Sequence, residues 1–337
     1  MKKSGMNMKK VTMQDIADRL GITKVSVSKA LNGQPGISAQ TRARILEAAV
    51  QMGYAGKARE TDRPKRFAML VAKRFFLETD GFYTEIAYHL NEFSLRDGHQ
   101  IYTVVLSAEA EEALELPDVL QDPLFDGIFL LGELNDAYVR MLAARRVNAV
   151  AVDFDNEALC TDCVLTDNFY LGFSAAKYLI CLGHRRIGFV GNIYQTHSIM
   201  DRYFGYLKAL TLENLPVRED WRLINNDPYN LYLMDVLLPA EMPTAFVCHC
   251  DMAAYYLMES LRRAGLRVPQ DVSLISFDNT ALSARTQPPL TSFDISRNDI
   301  ARRAYQCMLE RCVQDGGKRR LFVNNRLIER QSVQPIA

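Results

Sequence analysis

From Phe67 onward the chain alternates short apolar runs with helix-length amphipathic segments, in two successive series. The first series has apolar runs at 67–72, 101–106, 127–131 and 149–153, with helical segments near 82–97 and 135–145. The second has runs at 186–190, 244–248 and 272–277, with helices near 169–182, 198–213 and 251–264. A strand followed by a crossover helix returns to its sheet in parallel, so each series predicts a doubly wound parallel sheet. Two such lobes make an α/β body. After Pro289 the tail adds an extended piece, a helix at 297–314 and strands near 319–333. The sequence contains neither GxGxxG nor GxxxxGKS/T, which disfavours a nucleotide-dependent enzyme.

The first 66 residues follow a different grammar. Residues 11–54 read as three short helices. Thr12 caps the first, with Asp15 placed for a capping box, and Gly21 ends it. Thr23 caps the second, which runs to about Leu31 with Val27, Ala30 and Leu31 inward. A turn-rich stretch at 32–36 leads to Ser38, which caps a third helix through Ile45, Leu46 and Val50. A short helix, a glycine turn and a second helix place that second helix in a DNA major groove. Its outward residues are Thr23, Lys24, Val25, Ser28 and Lys29. Lysine donates to guanine edges and valine packs on a thymine methyl. Residues 55–66 are polar, charged and contain Pro64, the composition of a linker.

Charge divides the same way. Up to Arg66 there are fourteen Lys and Arg against five Asp and Glu; the rest carries twenty-six against thirty-five. A basic head on an acidic body predicts a polyanion partner for the head alone. The seven cysteines are an odd number and do not read as a disulfide framework. Cys160-x-x-Cys163 and Cys248-His249-Cys250 each fall short of four converging ligands, so buried reduced thiols are expected and no metal or cofactor. No secretory leader or membrane-length apolar run is visible, which predicts a cytoplasmic protein without a membrane partner.

Residues 11–32, VTMQDIADRLGITKVSVSKALN, resemble the headpiece of the LacI/GalR family of bacterial transcription regulators. Ile37-Ser38-x-x-Thr41-Arg42 and Gly53-Tyr54 continue that pattern. In the body so do Asp126-Gly127-Ile128, Asp167-Asn168, Gly183-His184-Arg185, Asp201-Arg202-x-x-Gly205-Tyr206, Phe277-Asp278-Asn279 and Pro288-Pro289-Leu290-Thr291. The resemblance covers nearly the whole chain. It implies a headpiece at 11–54, a hinge at 55–66 and a periplasmic-binding-protein-like body at 67–337. The expected lobes are an N-lobe of about 67–160 and 291–325 and a C-lobe of about 161–290. It further implies a homodimeric repressor that reads two half-sites of double-stranded operator DNA. Lys24, Val25 and Lys29 are its expected base contacts. Thr12, Thr23, Ser28, Asn32, Ser38, Thr41 and Tyr54 are its expected phosphate contacts. The family's hinge leucine is missing: Arg63 stands in its place, followed by Pro64. Arg59 and Arg63 are therefore expected to hold the DNA by charge rather than by a wedge.

In the body the resemblance points to an effector bound between the lobes, with Asp153, Ser198, Arg202, Tyr229, Cys250 and Asp278 around it. Carboxylates that accept and a guanidinium that donates suit a polyhydroxylated ligand, a sugar or sugar derivative. Two positions depart from a sugar-binding pattern: Cys250 replaces an asparagine, and Ile295 replaces a polar contact. They leave open a second reading, a DNA-binding regulator without small-molecule response that obeys a protein partner. Phe75, Phe76, Phe82 and Tyr83 are expected to be core rather than pocket. No nucleophile and base stand at recognisable spacing, so an enzyme is not expected.

Overall fold

The computed structural model describes residues 11–31, 36–52, 63–76, 81–121, 125–145, 147–159, 161–225, 235–313 and 316–336. Its contacts divide the chain into two compact units, Met1–Pro64 and Lys65–Ala337.

The first unit contains α1 (Met13–Leu20), α2 (Lys24–Leu31) and α3 (Ala39–Gln51). Thr12 opens α1 with a reciprocal capping box: the Asp15 amide donates to Thr12 Oγ1 at 3.3 Å, and the Thr12 amide donates to Asp15 Oδ2 at 2.6 Å. Gly21 closes the helix at φ 66°, in the left-handed region that glycine reaches without strain. The Ser26 amide donates to Thr23 Oγ1 at 3.1 Å and the Thr41 amide to Ser38 Oγ at 3.2 Å, so α2 and α3 also begin on hydroxyl caps. Ile16, Ala17, Val27, Ala30, Ile45, Ala48 and Ala49 form the core. Leu46 is exposed, because a residue one position from inward Ile45 lies about 100° around the helix.

The second unit begins with β1 (Arg66–Ala72), α4 (Lys73–Phe76), α5 (Phe82–Arg96), β2 (Gln100–Leu106), α6 (Ala108–Glu112), β3 (Gly127–Leu131), α7 (Asp136–Ala144), β4 (Ala149–Val152) and β5 (Asp162–Thr166). It continues with α8 (Asn168–Cys181), β6 (Ile187–Val190), α9 (His197–Leu212), β7 (Arg222–Leu223), β8 (Ala245–Cys248), α10 (Asp251–Arg263), β9 (Ser273–Asp278), α11 (Ala281–Arg285) and β10 (Thr291–Ile295). The tail supplies α12 (Arg297–Arg311), β11 (Arg320–Val323) and β12 (Asn325–Ile328). One sheet has the order β11-β5-β4-β3-β1-β2 and the other β12-β10-β9-β8-β6-β7. All pairs are parallel except β10 with β12. Strands such as β1, β3 and β9 are buried on both faces, as parallel strands covered by helices must be.

The lobe boundaries differ from those expected at 161 and 291. β5 belongs to the first sheet, pairing Val164 with Val152 and Leu165 with Phe322. β10 belongs to the second, pairing Phe293 with Phe277. A doubly buried apolar strand reads alike in either sheet; only its hydrogen-bonded neighbour, far away in sequence, decides between them. The chain therefore crosses between lobes three times: from β5 to α8, from β10 to α12, and from β11 to β12.

Helices α8 and α9 pack at unusually close range. A Cβ on Gly172 would lie 1.9 Å from the Arg202 carbonyl oxygen, and one on Gly205 would lie 2.0 Å from the Phe169 carbonyl oxygen. Only glycine permits such an approach. The contact fixes Asn168 and Arg202 beside each other.

Candidate nucleic-acid interface and ligand cleft

In the first unit α2 turns Val27 and Ala30 into the core, which leaves Lys24, Val25, Ser28 and Lys29 on the other side. Residues four apart share a helix face, so Lys24 aligns with Ser28 and Val25 with Lys29. Val25 is 64% exposed, an apolar side chain that the fold of this unit does not use. The hydroxyls of Thr12, Thr23, Ser38 and Thr41 stand at the three helix starts. There backbone amides and the helix dipole favour an anion. Each hydroxyl already makes a local bond, Thr12 Oγ1 to Asp15 Oδ2 at 2.6 Å and Ser38 Oγ to Thr41 Oγ1 at 2.8 Å. Arg63 is exposed. Asn32, Tyr54 and Arg59 lie outside the described residues.

In the second unit Glu133, Asp153 and Thr166, at or just past the C-terminal ends of β3, β4 and β5, line one cavity, at the end of a parallel sheet where ligands of doubly wound folds bind. Asp153, just past β4, has φ 65°; Asp278 and Asn279, at the end of β9, have φ 95° and 46°. Such non-glycine backbone costs about 1–3 kcal/mol per residue and gathers at ligand sites.

Arg202 and Asp278 come together, as the resemblance implied, but not as an open ligand contact. Both side chains are 8% exposed and stand 3.6 Å apart. Arg202 Nε donates to Asn168 Oδ1 at 2.8 Å, and Nη1 donates to the His249 carbonyl. Its guanidinium lies 4.6 Å from the centre of the Phe277 ring. His249 is buried beneath it. Burial, and then the Arg202 charge, push its imidazole down to about 3, so it is neutral. Cys250 is buried, and its Sγ accepts the Ala253 amide at 3.4 Å as the cap of α10. Asp251 accepts from Ser276 Oγ, Ser292 Oγ, and the Thr280 amide and hydroxyl, at 2.6 to 2.9 Å. Burial raises its carboxyl even so. These residues tie β9 and β10 to α8, α9 and α10 in the second lobe.

A cavity of about 920 Å³ opens beside this cluster. From the first lobe it is lined by Glu133, Asp153, Asp155, Thr166 and Arg320, among others; from the second by Asn168, Phe169, His197, Ser198 and Asp201. Asp153 and Ser198 are thus placed together. Arg202, Cys250 and Asp278 are not in the lining, because their polar atoms are turned into the second lobe. Tyr229 lies outside the described residues. Burial pushes the Asp153 carboxyl up to about 6, against the opposing Tyr83 hydrogen bond and Arg202 charge. Tyr83 donates to Asp153 Oδ2 at 2.8 Å. Tyr83 is not in the cavity lining; it packs on the first lobe's core, to which Phe75 and Phe82 belong, as expected. His197 spans the cleft, its amide and Nδ1 each 2.8 Å from the Glu133 carboxylate.

Of the acids in the lining, sequence reasoning named only Asp153. Asp201 stood in the quoted motif but was overshadowed by its neighbour Arg202. Asp167 and Asn168 were quoted without a role. Cys163 and Cys248 are buried, and burial pushes the Cys163 thiol up to about 12 and raises that of Cys248. Cys160 lies outside the described residues. Among the described residues no group of three or more His, Cys, Asp or Glu is placed to hold a metal, and no helix is long and apolar enough to cross a membrane.

Two family patterns match the chain: bacterial regulatory proteins of the lacI family at residues 12–56, and a periplasmic binding protein-like domain at 176–333. The chain is 26% identical over 335 residues to the HTH-type transcriptional repressor PurR of Vibrio cholerae serotype O1 (strain M66-2), covering 96% of this chain and 98% of that protein. It is 27% identical over 313 residues to PurR of Glaesserella parasuis serovar 5, covering 90% of each. Among solved structures, a transcriptional regulator CelR–cellobiose complex superposes with a TM-score of 0.69 at 22% identity, covering 96% of this chain and all of that one. The lac repressor dimer bound to operator and the anti-inducer ONPF superposes with a TM-score of 0.66 at 18% identity, covering 97% and 100%. At those identities the superpositions speak for the fold.

Proposed function

We propose that this chain, which belongs to the lacI family of bacterial regulatory proteins, is a sequence-specific repressor whose grip on operator DNA is set by a small molecule bound between its lobes. The family is one of DNA-binding transcription regulators, not enzymes. The observation that carries the reading is the 920 Å³ cavity lined from both lobes, in a chain whose separate helical unit leaves Val25 and Lys24 unused by its own core. Lys24, Val25 and Lys29 read base edges. Thr12, Thr23, Ser28, Ser38 and Thr41 hold phosphates, as do Asn32 and Tyr54, while Arg59 and Arg63 add charge in the linker. Two copies read a two-part operator. A ligand that favours a closed cleft shifts the population of body conformations and, through the dimer, operator affinity.

Selection of bound DNA from a random pool, repeated with sugars present, tests this reading. Lys24→Ala and Val25→Ala are expected to change the selected sequence, and Thr41→Ala to weaken all sequences alike. Uniform weakening by all three would remove the base-reading assignment. A thermal-shift screen of sugars and sugar acids tests the effector: operator binding without any ligand response favours control by a protein partner.

A further inference from the structure

Among the described residues, hydrogen bonds from Arg297 and from His197 tie the two lobes together, and they differ in kind. Just past the end of β10, Arg297 Nε lies 2.8 Å from Glu85 of the first lobe, and its Nη1 donates to the Asp278 carbonyl of the second. Arginine stays charged throughout the neutral range, so protons do not loosen this tie there. The other tie is made by the first residue of α9. An amide in the first turn of a helix has no acceptor inside that helix; the His197 amide donates instead to the Glu133 carboxylate of the first lobe, at 2.8 Å. His197 Nδ1 lies 2.8 Å from the other oxygen of the same carboxylate. Glu133 is held from behind, its carbonyl accepting Arg74 Nη2 at 2.8 Å. Opening the lobes must break both His197 bonds, and closing them remakes both.

We propose that Glu133 and His197 form a proton-operated latch on the cleft, stronger when the imidazole is charged. Histidine changes charge between pH 5 and 8. An ionised carboxylate only accepts, so Nδ1 carries hydrogen in either charge state and the bond persists in both. The second proton goes to Nε2 on a side chain 66% exposed, where water solvates it. It turns a neutral hydrogen bond into a charge-assisted one. The groups around the pair favour the charged ring. Asp201 lies one turn along α9, Asp167 precedes α8 and Asp153 follows β4, and all three line the same cavity. The nearby cations are engaged with acids of their own: Arg74 with Glu111, Arg140 with Asp136, and Arg320 with Asp155. The α9 dipole opposes a cation at its N-terminus, but with only about half a charge against the full charge of Glu133 in contact. On the sensor reading above, acid therefore acts in the same direction as a ligand that favours a closed cleft.

Amide exchange at position 197, measured by NMR on the full chain without ligand at pH 5.5 and 8.0, tests the latch. Each rate is divided by that of an unstructured peptide at the same pH, so the quotient reports how often the cross-lobe bond is made. Protection is expected to be about two- to fivefold greater at pH 5.5, the range of a partly exposed ion pair. His197→Gln and Glu133→Gln are each expected to abolish that difference while circular-dichroism melting shows the fold intact. No protection at either pH overturns the cross-lobe contact, and equal protection at both overturns the proton control. A pH difference that survives in His197→Gln also overturns the latch: the proton then acts elsewhere, as on Asp153, which burial raises to about 6. No ligand enters the experiment, so none of these failures touches the sensor reading.

Discussion

Asp201 and Arg202 are consecutive on α9, yet one faces the cavity and the other is sealed in the second lobe. Arg202 is surrounded by Asn168, the His249 carbonyl, Asp278 and the Phe277 ring, so its charge is fully engaged. Asp201 stays accessible, with no ion-pair partner among the described residues. One position along a helix is a rotation of about 100°, enough to separate a sealed residue from one that lines the cavity. The pair teaches that a charged residue in a cleft motif can hold the cleft's shape rather than its ligand. The sealed residues set where the strands end; the open ones remain for chemistry.

Substitutions on the two sides of this divide have opposite expected signatures. The largest effect belongs to Arg202→Met, which takes the guanidinium away from buried Asp278, Asn168 and the His249 carbonyl. The expected loss is about 3–5 kcal/mol. Urea unfolding followed by Trp221 fluorescence measures it, since Trp221 is the only tryptophan and is buried in the second lobe. If the loss is under about 1 kcal/mol, within the range of exposed pairs, Arg202 is not sealed as described.

Next comes Gly172→Ala, whose new methyl meets the Arg202 carbonyl. Overpacking against backbone is expected to cost about 2–3 kcal/mol in the same assay, and to weaken ligand binding by separating α8 from α9. Unchanged stability would show that the two helices have room to part.

Acid comes third. His249 is held down at about 3, so between its ordinary 6.5 and that value the unfolded chain binds a proton that the folded chain refuses. Stability is expected to fall as pH drops through this window, and His249→Asn to flatten the fall. Asp153 acts in the other direction. Raised to about 6, it binds its proton more readily when folded, and its contribution is lost as pH rises from 3.8 through 6. Asp153→Asn is expected to remove that slope alone. Parallel pH–stability curves for the two variants would break the contrast between sealed and open groups.

The smallest expected stability effect is that of Asp201→Asn, within about 0.5 kcal/mol, as for surface substitutions away from packing. Its effect is expected in binding at the cavity that it lines. A large loss of stability there would place Asp201 on the structural side of the divide.

Much of this was legible in the residues. Thr12 with Asp15 announced the first helix because a capping box is a local device, closed within four residues. Val27, Ala30 and Ile45 were identifiable as core, or as part of the third helix, by periodicity alone. The alternation after Phe67 named parallel sheets because crossover length is also local. Residues 162–166 and 291–295 were placed in the wrong lobe, the first not read as a strand at all, because nothing within so short a segment encodes its partner. The other acids of the cavity besides Asp153 were missed for a related reason: Glu133, Asp155, Asp167 and Asp201 are scattered in sequence and meet only when the lobes face each other.

The sequence by itself determined the three-helix head, its basic charge, the two α/β series and the family resemblance, since each depends on spacing within a few dozen residues. Only the tertiary structure decided which charged side chains are spent. Whether Arg202 meets a ligand or a buried aspartate depends on a glycine-mediated helix approach and on strand ends brought from three separate crossings. Burial and Coulomb energies depend on distances in space, which position in the chain does not specify.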